Sequence, residues 1–274
     1  MADARPLTLM AVHAHPDDEA IFTGGILARY ADEGLTTVLV TCTRGELGYG
    51  AAAAEPGQPG HDEAAVAAVR ADELAASCAV LGVTHAEQLG YHDSGMMGWS
   101  ENDAPAAFWN VPVAEAADRL AGLIERYRPQ VVVTYDADGF YGHPDHIQAH
   151  RVTVAAVEAT GIPDKLYFAV LPKSRLVGLP DLLGAAGFEV PEFVEDGLIP
   201  GTDDELVAAY VDCSAVVRRK YDSLAAHASQ VDNAFFLSLG PDLFAQMFST
   251  EAFVRGRDTS GSPVPESDLF AWLR

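Results

Sequence analysis

Two short clusters hold residue types able to bind a metal and move protons. The first is His13-Ala14-His15-Pro16-Asp17-Asp18-Glu19 and the second is Tyr141-Gly142-His143-Pro144-Asp145-His146. Catalytic zinc sites use three imidazole or carboxylate ligands and keep one position for water. His15 and Asp18, joined by His146 from the second cluster, make a two-histidine, one-carboxylate set. Non-haem iron(II) uses a similar triad, so the set alone leaves zinc and iron both open. A metal there lowers the pKa of a bound water toward ~7. Asp17 cannot easily share the same metal face and is read as the general base for that water. His143 falls near the open coordination position, where as a cation it would hold an oxyanion or protonate a leaving amine. Tyr141 offers a phenolic donor to the same oxygen, and Asp145 is placed to orient a histidine. His13 would point to the opposite face of its strand from His15, so it is read as structural or outer-shell, and Glu19 as support.

Such ligands must be delivered by rigid elements. An apolar run at residues 7–12 leads into the first cluster, and another at 131–134 precedes the second. Both read as buried strands that end at the carboxyl edge of a sheet, where α/β proteins build their sites. Between and after them, helical spacing and strand-like runs alternate. A helix over 21–30 stops at Gly34, and 37–42 is a β-branched strand. Residues 45–60 form a loop; helices follow over 62–81 and 112–127, and Pro144 opens another that reaches about 160. Residues 165–171 are again strand-like. The pattern predicts an α/β fold with a Rossmann-like, mostly parallel sheet flanked by helices, and an elaborated C-terminal part. We expect one domain over 1–274, with an α/β core at 1–171 and a cap with closing helices at 172–274. The Gly- and Pro-rich stretch 172–204 has no clear period and is read as irregular; a helix over 214–228 and an amphipathic segment at 243–248 are expected to finish the chain.

Composition narrows the function classes. The chain has 274 residues, 49% of them hydrophobic, enough for a substantial core. A net charge of −23, with only 17 Lys and Arg, argues against a nucleic-acid partner. Cys42, Cys78 and Cys213 are scattered and odd in number, so neither a zinc knuckle nor a disulfide framework is indicated. No apolar run approaches the ~20 residues of a membrane span, and the first is too short for a signal-peptide core. A cytoplasmic location without membrane attachment is expected, and a homo-oligomer is compatible with the sequence. A nucleotide-binding oxidoreductase is disfavoured, because the turn after the first strand carries His-Pro-Asp-Asp instead of a Gly-x-Gly-x-x-Gly.

The quoted clusters, Ala14–Glu19 and His143–His146, resemble the PIG-L/LmbE family of zinc-dependent N-deacetylases. The resemblance implies hydrolysis of an N-acyl amide on an amino sugar. His15, Asp18 and His146 would be zinc ligands, Asp17 the base, His143 the electrostatic or acid residue, and Tyr141 a carbonyl donor. Thr41–Glu46, the Arg70-x-x-Glu73-Leu74 pattern and Leu89–Met96 are further similar to the actinobacterial mycothiol branch. There, positions matching Arg70 and Asp93 contact sugar and inositol hydroxyls; a solvated helix residue is the other reading of Arg70. His227 matches a late motif or simply caps a helix end. Trp99, Phe108 and Trp109 form an aromatic platform or pack a loop. Other readings are an amidase on mycothiol-type thiol conjugates, an antibiotic-sugar deacetylase, and a non-catalytic metal- or sugar-binding protein.

Overall fold

The computed structural model describes residues 6–190 and 200–274. Seven strands form one sheet: β1 (Thr8–His13), β2 (Thr36–Thr43), β3 (His85–Tyr91), β4 (Val131–Tyr135), β5 (Lys165–Val170), β6 (Ala209–Asp212) and β7 (Thr250–Asp258), in spatial order β3-β2-β1-β4-β5-β7-β6. The first five are parallel, whereas β7 pairs antiparallel with both β5 and β6. Strand order reverses between β1 and β4, and this switch point opens a crevice at their carboxyl ends.

β1 is central and buried along its whole length. Its side chains alternate between two cores: Leu9 and Ala11 join one, Met10, Val12 and Ala14 the other. The first core is roofed by α2 (Gly24–Asp32) and α3 (Glu63–Leu81), the second by α4 (Val113–Tyr127) and α6 (Pro144–Thr160). α3 begins where the Asp62 side chain accepts Ala65 N–H, and it ends at Gly82 in a left-handed conformation.

Several expectations change. The helix read over 21–30 is two helices, α1 (Asp18–Phe22) and α2, broken at Thr23, so Gly24 and Gly25 open a helix instead of lying inside one. A Cβ on Gly25 would come within 2.7 Å of Cys213 Sγ, so the close approach requires glycine. The stretch 172–204 contains the helix α7 (Lys173–Ala185), hidden in the sequence by Pro180 and two glycines; residues 191–199 of that stretch lie outside the described residues. α5 (Gly139–Gly142) is a kinked turn around Phe140, and the expected helix over 214–228 is α8 (Val217–Ala226). The chain does not finish at the amphipathic segment. α9 (Ala234–Ser238) and α10 (Gly240–Phe248) are followed by β7, and with β6 the C-terminal part extends the sheet. Among the described residues no helix is long and apolar enough to cross a membrane.

Candidate active site

The turn after β1 and the α5–α6 junction after β4 meet at the switch point. The turn carries His15, Asp17 and Asp18; the junction carries Tyr141, His143, Asp145 and His146. Asp18 Oδ2 accepts the His15 backbone N–H at 2.8 Å and the Tyr135 hydroxyl at 2.6 Å. Its other oxygen, Oδ1, lies 3.3 Å from His146 Nε2. His146 Nδ1 donates to the Gly139 carbonyl at 3.2 Å, which leaves Nε2 as a lone pair, buried and without a hydrogen-bond partner. His15 lies between carboxylates, with Nε2 3.2 Å from Asp145 Oδ2 and Nδ1 3.3 Å from Asp18 Oδ2.

At His146 an acceptor thus faces an acceptor with no proton between them, an arrangement that a cation resolves. Zinc bonds of about 2.0–2.1 Å in a tetrahedron give ligand–ligand edges of roughly 3.3–3.4 Å, the separation of Asp18 Oδ1 from His146 Nε2. These two donors fit a metal ion, and a ring nitrogen of His15 lies within 4.8 Å of the His146 donor.

His143 belongs to the same group as His15 and His146, with one ring nitrogen of each within 4.8 Å of the others and its ring 4.6 Å from His15 and 4.8 Å from His146 between centroids. Its Nδ1 is already spent: as N-cap of α6 it accepts Asp145 N–H at 3.1 Å, so the ring proton sits on Nε2. Burial, reinforced by the neighbouring imidazoles, pushes its pKa well below the ordinary value. The sequence reading treats His143 as a cation; the structure presents a neutral donor at a helix N-terminus. His143 and Tyr141 both line an open cleft of about 330 Å³, whereas His146 is fully buried beneath.

Asp17 also faces the cleft, in an uncommon backbone conformation with φ 112° and ψ −29°. A non-glycine residue held there costs of order 1–3 kcal/mol and persists only where neighbours enforce it. Arg70 is one enforcer. It donates from Nη1 to the Gly45 carbonyl at 2.7 Å and from Nη2 to the Pro16 carbonyl, and it pairs with Asp17 Oδ2 at 3.0 Å. At 4% exposure Arg70 is not a solvated helix residue. Burial raises the Asp17 pKa to about 6 against the pull of Arg70. The other enforcer is Glu19, whose Oε2 accepts Asp17 N–H at 2.9 Å.

Asp93 lies on the cleft floor with Oδ1 3.6 Å from His15 Nε2, and Ser94 binds Asp145 through both N–H, at 2.9 Å, and Oγ. His13 bonds Thr23 Oγ1 at 2.8 Å and burial lowers its pKa to about 4, so it sits outside the cluster as a neutral core residue. His227 is no simple helix cap: its Nε2 meets Glu19 Oε1 at 2.7 Å. Of the three aromatics, Trp99 alone lines the cleft, seated on Gly95; Phe108 stacks on Tyr91, and Trp109 carries the Arg151 guanidinium at 4.9 Å. Rim residues of the 45–60 loop are tied to the later chain, with the Tyr49 hydroxyl donating to Asp232 at 2.9 Å.

Sequence reasoning missed Tyr135, Ser94 and the Glu19–His227 link. Tyr135 had a signal, as the residue directly after the apolar run at 131–134.

Comparisons with known proteins agree with this geometry. A family model described as GlcNAc-PI de-N-acetylase, PIG-L, matches residues 10–157. A 1D-myo-inositol 2-acetamido-2-deoxy-alpha-D-glucopyranoside deacetylase from Acidothermus cellulolyticus is 44% identical, over 96% of this chain and 94% of its own length. Among solved structures, an N,N'-diacetylchitobiose deacetylase from Pyrococcus horikoshii superposes with a TM-score of 0.61 at 16% identity, over 90% of this chain and 83% of that one. A 4-carboxy-2-hydroxymuconate hydratase from Pseudomonas putida shares the fold as well, at TM-score 0.58 and 19% identity, over 94% and 99% of the two chains. Fold alone therefore does not choose the reaction.

Proposed function

The chain belongs to the PIG-L family of de-N-acetylases, and on that premise we propose that it hydrolyses the N-acetyl group of a glucosaminyl-inositol conjugate with zinc as its metal. It is a hydrolase acting on an amide bond. One observation carries the metal-dependent chemistry: the unpartnered His146 Nε2 faces Asp18 Oδ1 beside the cleft-lining Asp17 carboxylate. The named relatives supply the sugar–inositol class.

Zinc held by His15, Asp18 and His146 would supply Lewis acidity to a water and to the amide carbonyl. Asp17, steered by Arg70, accepts the proton of the attacking water and returns it to the departing amine. His143 Nε2–H and the Tyr141 hydroxyl donate to the carbonyl oxygen as it gains charge. Asp145 fixes the His15 tautomer. Asp93 and Arg70, on the cleft floor, are the contacts for substrate hydroxyls. Amide and water give free amine and acetate. A cytoplasmic location belongs to this reading, supported by three buried, unbridged cysteines.

The test is amine release by zinc-reconstituted protein from N-acetylglucosaminyl-inositol, beside a mycothiol-type thiol conjugate and an N-acylated antibiotic sugar. The first is expected to be preferred, and preference for either of the others overturns the assignment. Asp17→Asn should lower turnover about 10²–10⁴-fold with metal content unchanged. Near-wild-type turnover in that variant removes Asp17 from the base role.

A further inference from the structure

We propose that His227 is a positioning residue for the proton-accepting carboxylate, acting through Glu19 on the backbone of Asp17. The inference rests on the reading of Asp17 as base.

The left-handed turn at Asp17 has two restraints. Arg70 holds the side chain and the preceding carbonyl, while Glu19 Oε2 takes the backbone N–H at 2.9 Å. That second restraint works only while the Glu19 carboxylate stays fixed, and Glu19 is fully buried. Its other oxygen has two donors: Ser77 Oγ of α3 at 2.5 Å and His227 Nε2 at 2.7 Å. Removing His227 leaves Glu19 Oε1 short of a buried donor, so the carboxylate rotates to find another. That rotation releases Asp17 N–H.

His227 sits 208 residues from Glu19 in sequence, just past the end of α8. It does not line the cleft, although Gln230 and Asp232 shortly after it do. This separation makes the role testable. A collapse of α8 would displace those rim residues and raise KM. Loss of aim at Asp17 alone would lower kcat and leave KM in place.

The experiment compares His227→Ala and His227→Gln, zinc-reconstituted, on N-acetylglucosaminyl-inositol, and follows hydrogen exchange of the metal-free proteins. In His227→Ala, kcat should fall about 10–100-fold, the range for lost outer-shell partners, with KM and zinc content near wild type. Exchange should quicken over residues 14–20 without spreading along α8. His227→Gln, whose amide still donates to Glu19, should recover most of the loss. A kcat within about twofold of wild type overturns the proposal, as does a matched rise in KM with exchange quickened throughout α8. If His227→Ala does not fold, His227→Leu, which fills the site without a donor, takes its place and should lower kcat about 10–100-fold; wild-type kcat there is equally fatal. Asp17→Asn in the same assays separates the two ideas. An active Asp17→Asn defeats the base reading, whereas an inactive one beside wild-type His227→Ala defeats the positioning role alone.

Discussion

Asp18 divides its labour between two oxygens, and Tyr135 enforces the division. With Oδ2 occupied by the Tyr135 hydroxyl and His15 N–H, only Oδ1 is left to face His146. The Tyr135 ring also stacks on His146 at 4.1 Å, so one side chain orients two proposed ligands. Tyr135→Phe keeps the stack and deletes the hydrogen bond to Asp18, together with the one the hydroxyl accepts from Ala14 N–H at 2.8 Å. Zinc affinity should then fall about 10–100-fold, while turnover at saturating zinc stays within a few-fold; titration against a competing chelator measures the first and steady-state kinetics the second. Unchanged affinity would make the Tyr135 contact incidental. The contrast with the motif residues shows what a sequence can carry at this scale. His15, Asp17, Asp18, His143 and His146 are legible because each cluster is contiguous and rich in unusual types. Tyr135 and His227 act through partners that only strand pairing and the return of α8 bring near, and no local pattern encodes that.

At the scale of elements, the break at Thr23 separates the turn that carries the proposed ligands from α2. α2 needs something at its N-terminus, and Glu251 from β7 provides it by accepting Gly25 N–H at 2.7 Å and Ile26 N–H at 2.9 Å. Lys220 of α8 pairs with the same carboxylate at 2.6 Å, with both side chains buried. Such a pair contributes little net stability when intact and costs much when halved. Glu251→Gln should therefore destabilise the fold by about 3–5 kcal/mol in urea unfolding. Adding Lys220→Met should recover part of that loss, because the uncompensated ammonium is gone. Additive losses in the double variant would show that the pair does not act as a unit. These links also explain which elements could be read. β1, β2, β4 and β5 are buried runs dense in apolar residues and were legible. β3 is an edge strand whose sequence, His-Ala-Glu-Gln-Leu-Gly-Tyr, is largely exposed and polar, so it carries no apolar run. β6 is also an edge and β7 pairs antiparallel, and both hide behind the weak periodicity of α7 and the loops around it.

For the whole molecule, the consequence is a fold that brings like charges together at its most structured point. Asp17, Asp18, Asp93 and Asp145 all approach His15 within a chain already at −23. Hydrogen bonds from Tyr135, Ser94, Gly95 and Arg70 absorb part of that charge, but Asp18 Oδ1 and His146 Nε2 still face each other without a proton. A divalent cation should thus stabilise the native state as well as activate water. Any ligand confined to the native state adds about 2.7 kcal/mol when free ligand stands at 100 times its Kd. For a chain of this size, each kcal/mol moves the melting midpoint by roughly 2–4 °C. Chelation that strips the metal should then lower Tm by about 5–10 °C and abolish amine release, and zinc should restore both. The same treatment of Asp18→Asn should move Tm far less, since that variant has lost the oxygen charge the cation offsets. If wild-type protein shed its metal with no change in Tm, the clustered carboxylates would have to be balanced by protonation of His15 instead, whose carboxylate neighbours Asp93 and Asp145 outweigh its burial and raise its pKa well above the ordinary value.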